Sequence, residues 1–412
     1  MKIIITGAST YGVKNLGDDA MLKVLCDEIK KKIPKSQLVF LARHPDPRFD
    51  KAFGIKSIKN IDHNSKTESI GKWFFGFNPD DSTDHLAKIR KNFETADLVI
   101  IGGNSFMEIS PNQFLRGVSS YSSFFAIMSK FYETPFALYG VNGHPLENDI
   151  TKENAKFLCN NASVCTIREE FFKKELIKSG VNSKKLKVFS DPAFGIEPIQ
   201  NKVEGLKILK KENIIPKSPN LVGICFRHVY WSWDDKKFKK YVKLMAKICD
   251  YIVDTMNSDI IFLSNCTYSQ SHKFQDDRIV SRYIKNYMKS KSNAHIIKTE
   301  LLLPEMLSIY PLLDFVITNR RHVSIFAAIH GKPFLSLSTG TLWHFKPFLE
   351  LLSKKLLIDL EKSNFNSIKS KIDFVSKNSD TISNSLRKKI PPLQKQARKQ
   401  VHEIIKSFDK NS

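Results

Sequence analysis

The chain has 412 residues, enough for two α/β domains and a helical tail but short for a third large domain. Its 65 Lys and Arg against 42 Asp and Glu give a formal charge of +23, a balance suited to acidic substrates, an anionic membrane surface or nucleic acid. Six cysteines show neither a CxxC pair nor metal-ligand spacing, and no apolar run approaches the roughly 20 residues of a spanning helix, which excludes a disulfide framework, a cysteine metal site and a membrane span.

Lys2 to Ile5 reads as a short strand and lacks the apolar core and small-residue cleavage site of a signal peptide, so a cytoplasmic protein is expected, with its acceptor at the inner face of the membrane. A helix from Asp18 to Lys32 and a strand from Gln37 to Leu41 follow, the start of a βαβ rhythm. Strands at Asp97 to Ile101, Phe136 to Tyr139, Val164 to Ile167 and Lys187 to Phe189 complete one doubly wound domain, residues 1–200. Pro192, Pro198, Pro216 and Pro219 punctuate a stretch without long apolar runs, which marks the boundary. A second set, residues 215–360, has strands at Leu221 to Phe226, Asp259 to Leu263, His295 to Ile297, Phe315 to Thr318 and Phe334 to Leu337, with helices at Lys236 to Met256 and Asp276 to Met288. Residues 361–412 read as a Lys-rich helical tail interrupted at Pro391-Pro392.

Polar glycine loops recur where strands of the first domain end. Asn15-Leu16-Gly17-Asp18 can turn tightly, cap a helix and offer free amides to an anion or a sugar hydroxyl. Gly102-Gly103-Asn104 lets backbone approach a ligand at the carboxyl edge, and Gly140 to Pro145, with Asn142, has the same form. None of these is a GxGxxG fingerprint or a Walker A sequence. Arg168 follows a strand, and either a ligand contact or an intra-domain ion pair suits it.

In the second half one strand delivers Arg227 and His228, ahead of Tyr230, Trp231 and Trp233, and another delivers Asn319-Arg320-Arg321-His322. Arginine forks bind phosphate or carboxylate bidentately, and a neighbouring histidine exchanges a proton near neutral pH. With no matching acid in those loops, these basic groups point to a small phosphorylated acid.

Taken in order, Asn15 to Ala20, Gly102-Gly103, Gly140 to Pro145, Arg168-Glu169, Asp191-Pro192, Arg227 and Arg320-x-His322 through Gly331-x-Pro333 resemble the polysaccharide pyruvyl transferase family. The resemblance spans Met1 to about Leu352 and implies a GT-B-like α/β fold, two Rossmann-like doubly wound domains facing across a cleft. It implies transfer of a pyruvyl group from phosphoenolpyruvate to two hydroxyls of a sugar or lipid-linked glycan as a ketal, without metal or cofactor. Arg227 and Arg320 would hold the donor, His322 would lie at its reacting carbon, and Arg321 and His228 would stand beside them. Asn15, Gly17, Asp18, Gly102, Gly103, Asn104, Asn142 and Arg168 would line the substrate side of the first domain. Arg321 stands where the family has an apolar residue, and Asn104 where it commonly has a third glycine. Two other readings fit the composition: a nucleotide-sugar GT-B glycosyltransferase, and a non-catalytic binder of anionic glycan or nucleic acid, of which nucleic acid is not expected.

Overall fold

The computed structural model describes residues 1–7, 14–60, 85–103, 106, 118–143, 145–229, 232–267, 273–339 and 352–409. The chain divides into two compact units, one of Met1–Gly12, Asp18–Gly195 and Gln394–Ser412, the other of Val13–Gly17 and Ile196–Leu393.

The first unit carries strands β1 (Lys2–Thr6), β2 (Gln37–Ala42), β3 (Lys56–Lys59), β4 (Leu98–Gly102), β5 (Phe136–Val141), β6 (Cys165–Ile167) and β7 (Leu186–Val188). Helices α1 (Leu16–Lys32), α2 (Pro47–Phe53), α3 (His85–Phe93), α4 (Val118–Phe131), α5 (Asp149–Asn161) and α6 (Glu170–Lys178) alternate with them. The seven strands form one parallel sheet in the order β3-β2-β1-β4-β5-β6-β7. Its central strands are apolar runs buried on both faces, as parallel strands covered by helices require.

The second unit carries β8 (Asn220–Cys225), β9 (Ser258–Phe262), β10 (Ala294–Ile296), β11 (Phe315–Thr318), β12 (Phe334–Ser338) and β13 (Leu357–Asp359). Its helices are α7 (Val203–Lys211), α8 (Asp235–Met256), α9 (Asp277–Tyr287), α10 (Leu303–Leu307), α11 (Arg321–Ile329) and α12 (Phe365–Lys377). The sheet is parallel, in the order β10-β9-β8-β11-β12-β13. Each unit therefore starts its sheet in the middle, grows one way and then reverses, which leaves a switch point at the carboxyl ends of β1 and β4 and of β8 and β11.

The two units part between Gly195 and Ile196, inside the proline-punctuated stretch, which also holds α7 with Gly205, Ile208 and Leu209 buried. One sequence expectation changes. Pro391 and Pro392 do not interrupt the last helix, α13 (Ser379–Asp409), which continues through them. Proline removes intrahelical hydrogen bonds, but Leu386, Ile390 and Leu393 are buried before and at the end of this stretch, and Ala397, Val401 and Ile404 after it. Residues 361–412, read as one tail, are divided by packing: the part up to Leu393 belongs to the second unit and the part from Gln394 to the first.

Candidate active site

The switch point of the second unit brings together the two basic strand ends. Thr318 pairs with Cys225 across β11 and β8, so the residues that follow each strand leave the sheet side by side. Asn319, fully buried, locks them. Its Oδ1 accepts from the Arg227 N–H at 2.8 Å and its Nδ2 donates to the Arg227 carbonyl at 3.0 Å. This two-way amide clamp fixes the backbone from which the Arg227 side chain springs.

Arg320 is the N-cap residue of α11, with extended backbone at φ −110° and ψ 122°. Its amide donates to Thr318 Oγ1 at 2.9 Å. Its guanidinium donates to Asp277 Oδ1 from Nε at 3.0 Å and from Nη2 at 2.5 Å. Asp277 opens α9 and is fully buried. Its Oδ2 accepts from the Cys266 amide at 2.9 Å and from the Cys225 thiol at 3.7 Å. Burial lifts the Asp277 carboxyl above the usual carboxylate range, against the pull of Arg320 and, more weakly, Arg227. Burial also works against the charge of Arg320, but Asp277 outweighs it and holds the guanidinium above the ordinary arginine range. One carboxylate thus stands against two guanidiniums, and the local balance stays positive.

The matching acid absent from the loops does exist, then, but it comes from a helix 43 residues earlier than Arg320. Asp277 is the residue that sequence reasoning missed, and Asn319, though part of the segment that the strand delivers, is given no role by it. The paired Asp276-Asp277 ahead of an amphipathic helix was the available signal for the first, but it reads equally as capping, and Asp276 does cap by accepting from the Arg278 amide.

His322 lies in the first turn of α11, and its imidazole is packed on Gly17 in the first turn of α1, where an added Cβ would overlap the ring. Asn15 and Gly17, expected on the substrate side of the first domain, therefore belong with the second unit. Asn15 bridges to Cys266 in antiparallel fashion, and Leu16 donates its amide to the Asn265 carbonyl at 2.9 Å. Asn15 Oδ1 accepts from the Gly17 amide at 3.1 Å and from Asn265 Nδ2 at 2.9 Å. Within the second unit, the Asn15–Gly17 segment thus lies against Asn265-Cys266 and His322, and the first turns of α9 and α11 meet through Asp277 and Arg320. Helix amino termini carry partial positive charge and orphan N–H groups, which adds to the attraction for an anion.

The remaining candidates separate. Arg321 occupies the first turn of α11 and is half-buried. His228 is buried with its ring centroid 4.1 Å from that of Phe238 and 6.1 Å from that of Trp233. Asp18 follows Gly17 in the acidic first turn of α1.

In the first unit, Gly102 ends β4 and Gly103, at φ 85°, donates its amide to the Tyr139 carbonyl at 3.1 Å. Gly7, which sequence reading passed over, follows β1 at φ 102°, and any side chain there would strike the Gly102 backbone. That close approach needs glycine at the switch point. Asn142 is buried and accepts from the Gly143 amide at 2.9 Å. Arg168 takes the ion-pair alternative: its Nε donates to the Gly140 carbonyl at 2.6 Å and its Nη1 to Asp191 Oδ2 at 3.1 Å, all buried. Asn104, His144, Tyr230 and Trp231 lie outside the described residues.

Among the described residues, no helix is long and apolar enough to cross a membrane. Residues 15–341 match the family model for polysaccharide pyruvyl transferase. The chain is similar to the amylovoran biosynthesis protein AmsJ of Erwinia amylovora, 21% identical over 364 residues that cover 82% of this chain and 83% of that protein. Its fold is similar to that of a putative UDP-N-acetylglucosamine 2-epimerase from Listeria monocytogenes, with a TM-score of 0.64, 11% identity and 100% and 97% of the two chains covered. It is also similar to Anabaena Alr3699/HepE solved with UDP-glucose, with a TM-score of 0.62, 14% identity and 98% and 99% coverage. These likenesses show the GT-B fold. With more than half of its length matched by the family model, the chain belongs to the polysaccharide pyruvyl transferase family and is a transferase.

Proposed function

We propose that this protein transfers the pyruvyl group of phosphoenolpyruvate to two hydroxyls of a sugar in a polysaccharide or its precursor, forming a ketal and releasing phosphate. The observation that carries this reading is the pair of strand-end arginines, Arg227 and Arg320, held at the switch point beside His322. Phosphoenolpyruvate carries a carboxylate and a phosphate on one carbon, which suits two arginines that follow neighbouring strand ends.

The reaction needs three things. The methylene carbon must gain a proton, positive charge must meet the departing phosphate, and two hydroxyls must reach the carbon that becomes the ketal centre. His322 as acid delivers the proton to the methylene carbon and takes back the proton of the first hydroxyl as that hydroxyl attacks and makes the new C–O bond. Phosphate then leaves with the electron pair of its C–O bond against the arginines, and the second hydroxyl closes the ketal as its proton passes to the phosphate. Asp277 and Asn319 act as positioning residues for Arg320 and Arg227. The glycine-lined carboxyl edge of the first unit, with Asn142, takes the acceptor sugar. No metal or other cofactor enters this scheme.

Thermal unfolding with phosphoenolpyruvate or uridine and guanosine diphosphate sugars tests the donor. Stabilisation by phosphoenolpyruvate, lost in R320A, is expected. Stabilisation by a nucleotide sugar alone would replace this reading with a glycosyltransferase.

A further inference from the structure

Helix α7 of the second unit is amphipathic in an unusual sense. Its inner face is closed against the same unit, with Gly205 so near the Ser308 carbonyl that no side chain fits. Its outer face is not purely polar. Val203 and Leu206 are 53% and 54% exposed, and Ile215, just beyond the helix, is 78% exposed. Lys207 and Lys210 share that face at helical spacing, and Lys202, Lys211 and Lys217 flank it, all exposed. The two acids of the segment are engaged: Glu204 pairs with Lys207 at 3.3 Å, and Glu212 accepts from the Lys298 and Thr299 amides.

The positive surface continues past the helix. Lys332, beyond the end of α11, donates to the Pro311 carbonyl at 3.1 Å, next to the Leu312 side chain that meets Gly205. Arg387 of α13 lies against Gly331. Burial lowers the Lys332 pKa and, against Asp314, the charges of Lys202 and Arg387 lower it further, so these three cations act on one another.

We propose that the surface of the second unit that carries Val203, Leu206 and Ile215, with the exposed Lys202, Lys210, Lys211 and Lys217 along the same segment and Arg387 near Lys332, docks on an anionic lipid bilayer. Aliphatic side chains among lysines match the headgroup boundary, where the former enter the acyl region and the latter meet phosphate. An acidic protein or a nucleic acid would satisfy the lysines and leave three aliphatic groups in water.

The full chain is tested by flotation with phosphatidylcholine vesicles with and without phosphatidylglycerol. Wild type should float only with the anionic vesicles. The triple variant V203S/L206S/I215S keeps every charge, and it should bind about tenfold or more weakly while its thermal unfolding is unchanged. Because the native cysteines are all buried, L206C can carry an environment-sensitive dye, whose emission should shift to the blue on anionic vesicles. Equal binding by wild type and the triple variant, with no dye shift, would overturn the proposal and leave net charge alone as the cause. Light scattering that shows a wild-type dimer, broken by the triple variant, would also overturn it and make this face a contact between copies.

Discussion

The backbone of Gly17 lies so close to the imidazole of His322 that a methyl group on it would overlap Nδ1, Cγ and Cε1 of the ring. The Asn15–Gly17 segment of the second unit thus sets where this histidine can stand. Gly17→Ala should move the ring rather than unfold the protein, because a side chain yields more readily than packed backbone. A misplacement on this scale costs on the order of 100-fold in kcat/KM for phosphoenolpyruvate. Steady-state kinetics together with a thermal melt check this, and unchanged kinetics would show that the ring position is irrelevant.

Asp277 predicts a different phenotype. Removing it leaves the Arg320 guanidinium buried without its partner carboxylate, and broken buried pairs cost about 3–5 kcal/mol. Asp277→Ala should therefore lower stability by that order in urea unfolding. Asp277→Asn, which keeps the shape and one acceptor, should unfold later than the alanine variant yet bind phosphoenolpyruvate more weakly than wild type.

The Asn319 clamp can be separated from folding. Asn319→Asp keeps the acceptor for the Arg227 amide and loses the donor to its carbonyl, so about 1–3 kcal/mol is at stake in a buried setting. The expected signature is a raised KM for phosphoenolpyruvate. A variant with normal KM and normal melting would deny the clamp any part in placing Arg227.

His330 gives a pH test outside the site. Its Nε2 accepts from the Ile199 amide at 3.2 Å, and burial pushes its pKa down to about 4. A group whose folded pKa lies below its unfolded value of roughly 6.5 contributes stability above that value and loses it as pH falls toward the folded one. Stability should decline between about pH 6.5 and 4, by up to about 3 kcal/mol from this residue. His330→Asn should flatten that part of a pH-dependent urea profile.

The strands that frame both switch points were legible because they are short runs of Ile, Val, Leu and Phe buried on both faces, as in β1, β4, β8 and β11. The edge strands β3, KSIK, and β13, LID, were not, since an edge needs little apolar pattern. Proline misled at Pro391-Pro392, where tertiary burial overrides the local preference. Arg227, Arg320 and His322 were readable as basic groups at strand ends. Their partners were not, because neither the Asp277 carboxylate nor the Gly17 backbone is tied to them by sequence spacing. Arg168 shows the opposite case: the same kind of strand-end arginine, but satisfied by Asp191 and the Gly140 carbonyl.

Phosphate release from phosphoenolpyruvate, followed by phosphorus NMR with glycan from the native host as acceptor, tests the central claim most directly. Wild type should release phosphate as a ketal methyl group appears on the glycan, and both should be lost in Arg320→Ala and His322→Ala while each variant still melts cooperatively. Undiminished phosphate release and ketal formation in both variants would contradict it.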